Sequence, residues 1–305
     1  MKYPWSIGAI AFRSLDWVAV VRIIIRLIEF TIIGASMSES GQSVTHADLN
    51  AHIFLKSVPL QVTLQEILKA VGDLQGRSCL AIGSENAMMS YQLRRGGGNW
   101  QELVFNDAMA EVIHELVGEE IRVFGGTSLP FGDKSFDVVV ILDGLSSQTS
   151  DAEFIEMCHK VLKPDGRLIV CVPRQKKMTF IGPLRTLLGL TPGGYSESHL
   201  FGILKSGFDV MSMRSYSRFF VEFVDAWVRG LALRRRDRAP AGQRRVYSVA
   251  YAFYWLAYQL DLLIFMSRGH RLIACAKRRA WRSRDAPILV DGRSISEAVL
   301  SPLAG

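Results

Sequence analysis

The hydrophobic positions change their spacing several times between residues 63 and 276. Short apolar runs alternate with segments in which apolar residues recur every three or four positions. The predicted strands are 79–82, 102–105, 121–124, 138–142, 167–172, 208–216 and 271–276, and the predicted helices are 88–95, 108–116, 151–162, 184–190 and 198–206. This alternation predicts βαβ units, and therefore an α/β fold with a doubly wound, mostly parallel sheet.

A helix is also predicted just before the first strand. Thr63-Leu64-Gln65-Glu66 has the spacing of a capping box, which places the start of this helix near Thr63, and Gly72 is expected to end it. Residues 36–50 are mostly polar and are interpreted as a linker.

Three further segments are long and apolar. They are Trp17–Ala35, 219–233 and 247–266. In the first, Arg22, Arg26 and Glu29 fall on one helical face, and burying a central Arg in hydrocarbon costs roughly 2.5 to 3.5 kcal/mol. Helices that lie in the membrane interface, or that pack on the domain, are therefore favoured over membrane spans. These segments divide the chain into an apolar helix with a linker (1–50), an α/β core (51–216), a helical hairpin (217–270), and a last strand with a surface tail (271–305).

The net charge of +7 is concentrated late in the chain. The run at 234–245, RRRDRAPAGQRR, separates two apolar helices, and such a basic tip suits anionic lipid headgroups. The run has no interleaved aromatic residues, so nucleic acid is not an expected partner. The expected location is cytoplasmic, on the inner face of a membrane, and the oligomeric state is left open.

The four cysteines contain no CxxC pair and fall mostly in apolar runs. Free, buried thiols in a reducing compartment are therefore expected, and no metal site is predicted.

Three stretches, taken together and in order, carry a resemblance to a known family. They are Leu80–Ala87 followed by Leu93–Gly96, then Leu129–Val140, then Val161–Leu168. With these segments the chain resembles the class I S-adenosylmethionine (SAM)-dependent methyltransferases of the type 11-like group. The resemblance implies a Rossmann-like core, SAM as the cofactor, and ligand binding at the carboxyl ends of the strands.

The same resemblance implies a set of cofactor contacts, of which some depart from the family pattern. Ala81, Val104 and Gly125 stand where the family usually has acidic residues. The implied contacts are Gly83, Ser84, Glu85, Asn106, Asp107, Thr127 and Asp143, with Glu102 as another possible ribose ligand. Two interpretations stay open: a SAM-dependent methyltransferase with shifted ligands, and a non-catalytic binding or scaffold protein with a decayed cofactor site.

Two side chains are candidates for catalysis. Asp143 follows the fourth strand, where such folds often place a residue that faces cofactor and substrate. His199 and the neighbouring Tyr195 lie in a region that commonly covers the substrate pocket. The alternative interpretation is that Asp143 and the serines beside His199 only cap helices or turns. The expected acceptor is a small or lipid-linked molecule.

Overall fold

The computed structural model describes residues 45–84, 86–126, 128–142, 145, 150–175, 194–234, 240–263 and 269–281. The predicted helices at 17–35 and 184–190, and residues 235–239 of the basic run, lie outside these ranges.

Helices and strands alternate as the apolar pattern predicts. The helices are α1 (His46–Lys56), α2 (Val58–Val71), α3 (Ala87–Arg95), α4 (Asp107–Val117), α5 (Asp151–Val161), α6 (Glu197–Leu204), α7 (Phe219–Arg234) and α8 (Pro240–Leu263). The strands are β1 (Ser78–Ile82), β2 (Asn99–Val104), β3 (Arg122–Val123), β4 (Phe136–Leu142), β5 (Leu162–Pro173), β6 (Phe208–Tyr216) and β7 (Arg271–Arg278).

Within the described residues, seven strands form one sheet in the order β3-β2-β1-β4-β5-β7-β6. The strands β1 to β5 pair in parallel, whereas β7 runs antiparallel to both β5 and β6. The predicted doubly wound, mostly parallel sheet is thus confirmed. The strand order changes direction at β1, which pairs with both β2 and β4, and this is the point where such sheets bind ligands.

Successive strand residues point to opposite faces of the sheet, and both faces are buried. In β1, Leu80 and Ile82 pack in a core with α5 and α6, while Cys79 and Ala81 pack in a second core with α1, α2 and α3. Burial of both faces explains why these strands are continuous apolar runs. All four cysteines are free and buried, as predicted.

Asp137 ties together three strands at the edge where they begin. Its Oδ2 accepts a hydrogen bond from the Ser78 backbone N–H at 2.9 Å and one from Lys163 Nζ at 2.8 Å. Both Asp137 and Lys163 belong to the stretches that carry the family resemblance. In these two stretches, Asp137 and Lys163 therefore hold the strands together.

The predicted start of the helix before the sheet is wrong. α2 begins at Val58, with Ser57 at its N-cap and Pro59 in its first turn, so Thr63 lies inside the helix. Proline is favoured in a first turn because its missing N–H has no partner there in any case. Glu66 makes an ion pair with Lys69 at 2.8 Å rather than a capping contact.

The predicted linker also ends earlier than expected. Residues 46–50 form the beginning of α1, whose N-cap is Thr45. The Thr45 side chain accepts a hydrogen bond from the backbone N–H of Asp48 at 3.1 Å. A side-chain cap of this kind stabilises a helix start even in a polar stretch.

α7 and α8 follow one another and pack together, and α8 also packs against α1 and α2. α8 begins at Pro240, well before the predicted start at 247. Among the helices that the structure describes, none is both long and apolar enough to cross a membrane.

Candidate cofactor site

The loop after β1 opens with a glycine whose backbone needs the left-handed region. Gly83 has φ of +77°, which side-chain-bearing residues rarely adopt. Its N–H donates to the carbonyl of Leu103 at 2.8 Å, so the backbone is held against β2 as it leaves the sheet. A ligand can approach this backbone closely because no Cβ is present. The loop therefore lets a ligand approach the backbone at the carboxyl edge of β1, although the Gly83 N–H itself is already bonded to β2.

Two polar side chains make three hydrogen bonds that hold the rest of this loop in place. Ser84 Oγ donates to the carbonyl of Asn86 at 3.1 Å. Asn86 is the N-cap of α3 and accepts from the Met88 N–H at 2.9 Å. Its Nδ2 donates to the carbonyl of Asn50 in α1 at 3.1 Å. The loop is thereby fixed to the helix that precedes the sheet.

A buried carboxyl group lies behind the loop. Glu102 of β2 is 1% exposed, and its carboxyl accepts hydrogen bonds from the Ser90 hydroxyl and, at 3.1 Å, from Arg94 Nη1. Ser90 Oγ also lies 3.1 Å from Ser84 Oγ, so a chain of polar groups connects Glu102 to the loop. Burial raises the pKa of Glu102, although Ser90 and Arg94 act in the opposite direction. Glu102 thus supports α3 and the loop, which leaves it poorly placed as a ribose ligand.

A small cavity adjoins the loop. Its volume is about 20 Å³, roughly the space of one water molecule. It is lined by Leu60, Thr63, Ser84, Asn86, Met89, Leu142, Cys171 and Arg271. Thr63 is 4% exposed, and its Oγ1 has no hydrogen-bond partner within the described part of the chain. A buried hydroxyl without a partner is unfavourable, and the cavity beside it has room for one water molecule that would satisfy it.

The carboxyl end of β2 has no acidic side chain. Val104, which ends the strand, is 1% exposed. The Phe105 ring that follows contacts Phe124 with 5.9 Å between centroids, and Phe124 contacts Phe154 at 5.7 Å. Phe124 and Phe154 are buried in the core, so only the partly exposed Phe105 ring can face a flat aromatic ligand, and it gives that ligand no hydrogen bond.

Asn106 and Asp107 both lie at the start of α4. Asn106 is its N-cap and accepts from the Met109 N–H at 2.8 Å. Asp107 is exposed in the first turn of the helix. Both residues therefore lie beside the position predicted for the ribose ligand. Asn106 also caps α4.

His199 and Tyr195 lie together, and Tyr195 is held beside the end of β5, where its backbone N–H donates to the carbonyl of Pro173 at 2.9 Å. Their rings are stacked, with centroids 5.6 Å apart and an angle of 14° between the planes. Tyr195 is buried and donates a hydrogen bond to Asp151 Oδ2 at 2.8 Å. Burial, followed by the bond to Asp151, raises the pKa of Tyr195. His199 is exposed, and its backbone N–H is capped by Ser196 Oγ at 3.1 Å.

Three of the predicted site residues, Glu85, Thr127 and Asp143, lie outside the described residues. Among the residues that are described, no group of three or more His, Cys, Asp or Glu side chains could hold a metal ion.

A larger cavity, of about 460 Å³, lies at the opposite edge of the sheet. Ser78, Asn99 and Phe136, which line it, are the first residues of β1, β2 and β4. Ligands of doubly wound sheets bind where the strands end, so this cavity is not assigned to the cofactor.

Sequence patterns did not point to Asn50, Thr63 or Ser90. Asn50 fell in a predicted linker, and Thr63 was interpreted as a helix cap. The relation of Ser90 to Glu102 appears only when α3 packs on β2. In none of these cases does the spacing along the chain carry a signal.

The strand order, the reversed seventh strand and the glycine loop after β1 together define the fold of the class I SAM-dependent methyltransferases. Residues 80–170 match a family described as the methyltransferase domain. This segment matches a methyltransferase domain, and the resemblance seen in the sequence is confirmed.

The curated relatives are methyltransferases of quinone biosynthesis. The chain is 30% identical over 107 residues to demethylmenaquinone methyltransferase of Clavibacter sepedonicus, which covers 34% of this chain and 44% of that protein. It is 30% identical over 135 residues to the ubiquinone/menaquinone biosynthesis C-methyltransferase UbiE of Azotobacter vinelandii, covering 41% and 51%. The chain thus spans about half the length of the curated relatives it matches.

Among solved structures, the chain is similar to the cyclopropane synthase MmaA2 from Mycobacterium tuberculosis. The TM-score is 0.52, the identity is 16%, and the match covers 77% of this chain and 96% of the other. At this identity the similarity concerns the fold.

Proposed function

We propose that the protein binds SAM at the carboxyl edge of β1 and transfers its methyl group to a small or lipid-linked acceptor at a membrane surface. The observation that carries this proposal is the Gly83 loop, with its positive φ and its backbone held against β2 at the switch point of the sheet.

The described residues fit the methionine end of SAM better than its adenosine end. At the methionine end, the Gly83 backbone, Ser84 and the unpaired Thr63 hydroxyl offer polar contacts. At the adenosine end, Phe105 offers an aromatic surface, while Val104 gives no hydrogen bond to a ribose hydroxyl. Asn106 and Asp107 are the nearest polar groups along the chain, and we assign the ribose to them.

When bound, SAM supplies an electrophilic methyl group. The protein's contribution is to align an acceptor atom with that group and to keep water out, and alignment of this kind accounts for much of the rate enhancement in such reactions. An acceptor that loses a proton needs a base at its reacting atom. Asp143 and His199 are our candidates for this role, with the ring of Tyr195 supporting the His199 imidazole.

The acceptor class is inferred from two sources. The relatives named above act in ubiquinone or menaquinone biosynthesis, which favours a small quinone-like or lipid-linked molecule. The apolar helices α7 and α8, with the basic run between them, favour a reaction at the surface of a membrane.

A second candidate function is a methyltransferase-like protein without activity, which binds a partner or a lipid. The buried Val104 in place of a ribose carboxylate favours it. A lost charge-assisted hydrogen bond weakens binding by roughly 1.5 to 3 kcal/mol, so two such losses would lower SAM affinity by orders of magnitude.

Calorimetry with SAM and S-adenosylhomocysteine separates the two functions. Saturable binding of both ligands is expected, and no binding at millimolar ligand would rule out the methyltransferase. Gly83→Trp should abolish binding because it fills the loop. Gly76→Trp is the matched control, since Gly76 also has a positive φ, of +69°, but lies in an exposed turn before β1. Loss of binding in both variants would point to misfolding rather than to the pocket.

A further inference from the structure

α8 carries a second apolar face that no described part of the chain covers. Trp255 is 59% exposed, Leu262 55%, Tyr258 43% and Tyr251 42%. These residues are spaced by four, three and four positions, so they form one stripe along the helix. We refer to Tyr251, Trp255, Tyr258 and Leu262 as the outer face of α8.

A neighbouring side of α8 is already occupied by the fold. Leu256 and Leu260, on the side away from the outer face, are also exposed, at 51% and 36%. Tyr254 is buried and donates a hydrogen bond to Asp225 Oδ1 in α7 at 2.8 Å. The carboxylate of Asp261 accepts from the backbone N–H groups of Phe220 and Val221 at 2.8 and 3.0 Å, and so caps the start of α7. The packing of α8 therefore does not require the outer face to be apolar.

The exposed charge on this pair of helices is positive. The acidic residues of α7 and α8 are Glu222, Asp225 and Asp261, and they are 1%, 2% and 4% exposed. Arg244, by contrast, is exposed two turns before Tyr251 on the same side of α8. The sequence RRRDR at 234–238 begins at the last residue of α7 and ends two residues before α8.

Residues of α1 lie beside the outer face of α8. Lys56 Nζ lies 4.4 Å from the centre of the Tyr251 ring, which places another positive charge beside the stripe. The neighbouring Leu55 is 59% exposed. Apolar side chains bordered by Lys and Arg are therefore found on both helices.

From these observations we infer that the outer face of α8 docks on an anionic lipid surface, with the helix lying in the plane of the interface. From Arg244 to Leu262 the stripe is about 27 Å long. Trp and Tyr have an apolar body and a polar tip, which suits them to the headgroup boundary. The positive border complements lipid phosphates. This inference rests on the proposed function and deepens it, because it names the surface at which a lipid-linked acceptor would be met.

The test places a reporter on the stripe. Tyr258→Cys is labelled with an environment-sensitive thiol dye and mixed with vesicles of phosphatidylcholine and phosphatidylglycerol in equal amounts. The native thiols are buried, and burial raises the pKa of Cys79 to about 12, so they should not compete for the dye. We expect a blue shift in emission, quenching by a nitroxide lipid, and a weaker effect at high salt or with phosphatidylcholine alone.

Met211→Cys is the matched control. Met211 is 62% exposed on β6, away from the stripe, and its label should stay in water. In flotation, Trp255→Glu should lower vesicle binding about tenfold, while Met211→Glu should leave it unchanged.

Two results would overturn the inference. One is a label at position 258 whose emission stays the same when vesicles are added. The other is a label whose emission already reports apolar surroundings before vesicles are added. If that emission depends on protein concentration, a second copy of the chain covers the outer face of α8. If it does not, the apolar segment 17–35 covers it. Calorimetry with SAM in solution is independent of vesicles. Failure of lipid docking and failure of the proposed methyl transfer are therefore distinguishable.

Discussion

Asn86 Nδ2 donates a hydrogen bond to the backbone carbonyl of Asn50 at 3.1 Å. Asn50 Oδ1 in turn accepts from the backbone N–H of Ala87 at 3.3 Å. These two bonds join α1 to the end of the loop that follows β1 and to the start of α3, over separations of 36 and 37 residues. A helix outside the sheet thereby contributes to the shape of the candidate cofactor site.

Asn50→Ala should therefore weaken SAM binding about fivefold, because the loop loses one of its two bonds to α1. Calorimetry measures this change. The control is Gln61→Ala, which removes bonds from Gln61 Nε2 to the carbonyls of Phe54 and Leu55 and leaves the loop untouched. Equal losses in the two variants would mean that α1 acts through general stability and not through the loop.

Thr63→Val should raise stability and lower SAM affinity. Valine keeps the shape of threonine but removes the buried hydroxyl that lacks a partner. We expect a gain of about 1 kcal/mol in urea unfolding and a roughly fivefold weaker affinity. If Thr63→Val instead lowers stability, the hydroxyl has a hydrogen-bond partner in the protein. The assignment of Thr63 to the candidate cofactor site would then fail.

Thr45→Val provides the contrast to this variant. It makes the same chemical change at the N-cap of α1, where the hydroxyl accepts from the Asp48 N–H. Here stability should drop by about 1 kcal/mol, with little change in SAM affinity.

Glu102→Gln should alter how stability depends on pH. Burial raises the pKa of Glu102 above its ordinary value of 4.5, so the folded state holds this proton more tightly than the unfolded chain does. The stabilisation that comes from holding the Glu102 proton is complete below pH 4.5, and it is lost as the pH rises through the raised pKa. Urea titrations across this range should show the wild type losing stability relative to Glu102→Gln. A constant difference between the two would contradict the raised pKa.

Asp137→Asn should show the opposite dependence. Burial acts to raise the pKa of Asp137, but the bonds from Lys163 and from the Ser78 N–H outweigh it and lower the pKa below 3.8. The ionised Asp137 carboxylate stabilises the fold above pH 3.8, and this stabilisation is lost as the pH falls through the lowered pKa. At neutral pH we expect a loss of about 1 kcal/mol on substitution, measured by urea unfolding. A loss that persists undiminished in acid would indicate a packing defect instead.

Much of the fold could be predicted because the central strands β1, β4 and β5 are buried on both faces. Runs such as Val138–Leu142 and Leu168–Val172 are apolar throughout, and the helices between them repeat at helical spacing. Errors occurred where local signals compete. The capping-box spacing at Thr63 was overridden by Ser57 and Pro59, and the polar composition at 46–50 concealed a helix that Thr45 caps.

The candidate site was predictable only in its backbone. Gly83 follows a predicted strand, and the family resemblance implied it as a cofactor contact, since glycine lets the backbone approach a ligand closely. The partners of Glu102 could not be predicted, since Ser90 and Arg94 lie on α3 and reach it only when that helix crosses β2. The unpaired hydroxyl of Thr63 was likewise invisible, because its environment is made by α2, β4, β5 and β7 together.

By itself, the sequence determined the alternation of strands and helices, because this alternation depends on neighbouring residues and on the burial of a whole face. The glycine after β1 was expected from the family resemblance. Only the tertiary structure decided which polar groups meet around that glycine and which face of α8 remains exposed. Both depend on contacts between residues far apart in the chain, such as Asn50 with Asn86 and Tyr254 with Asp225.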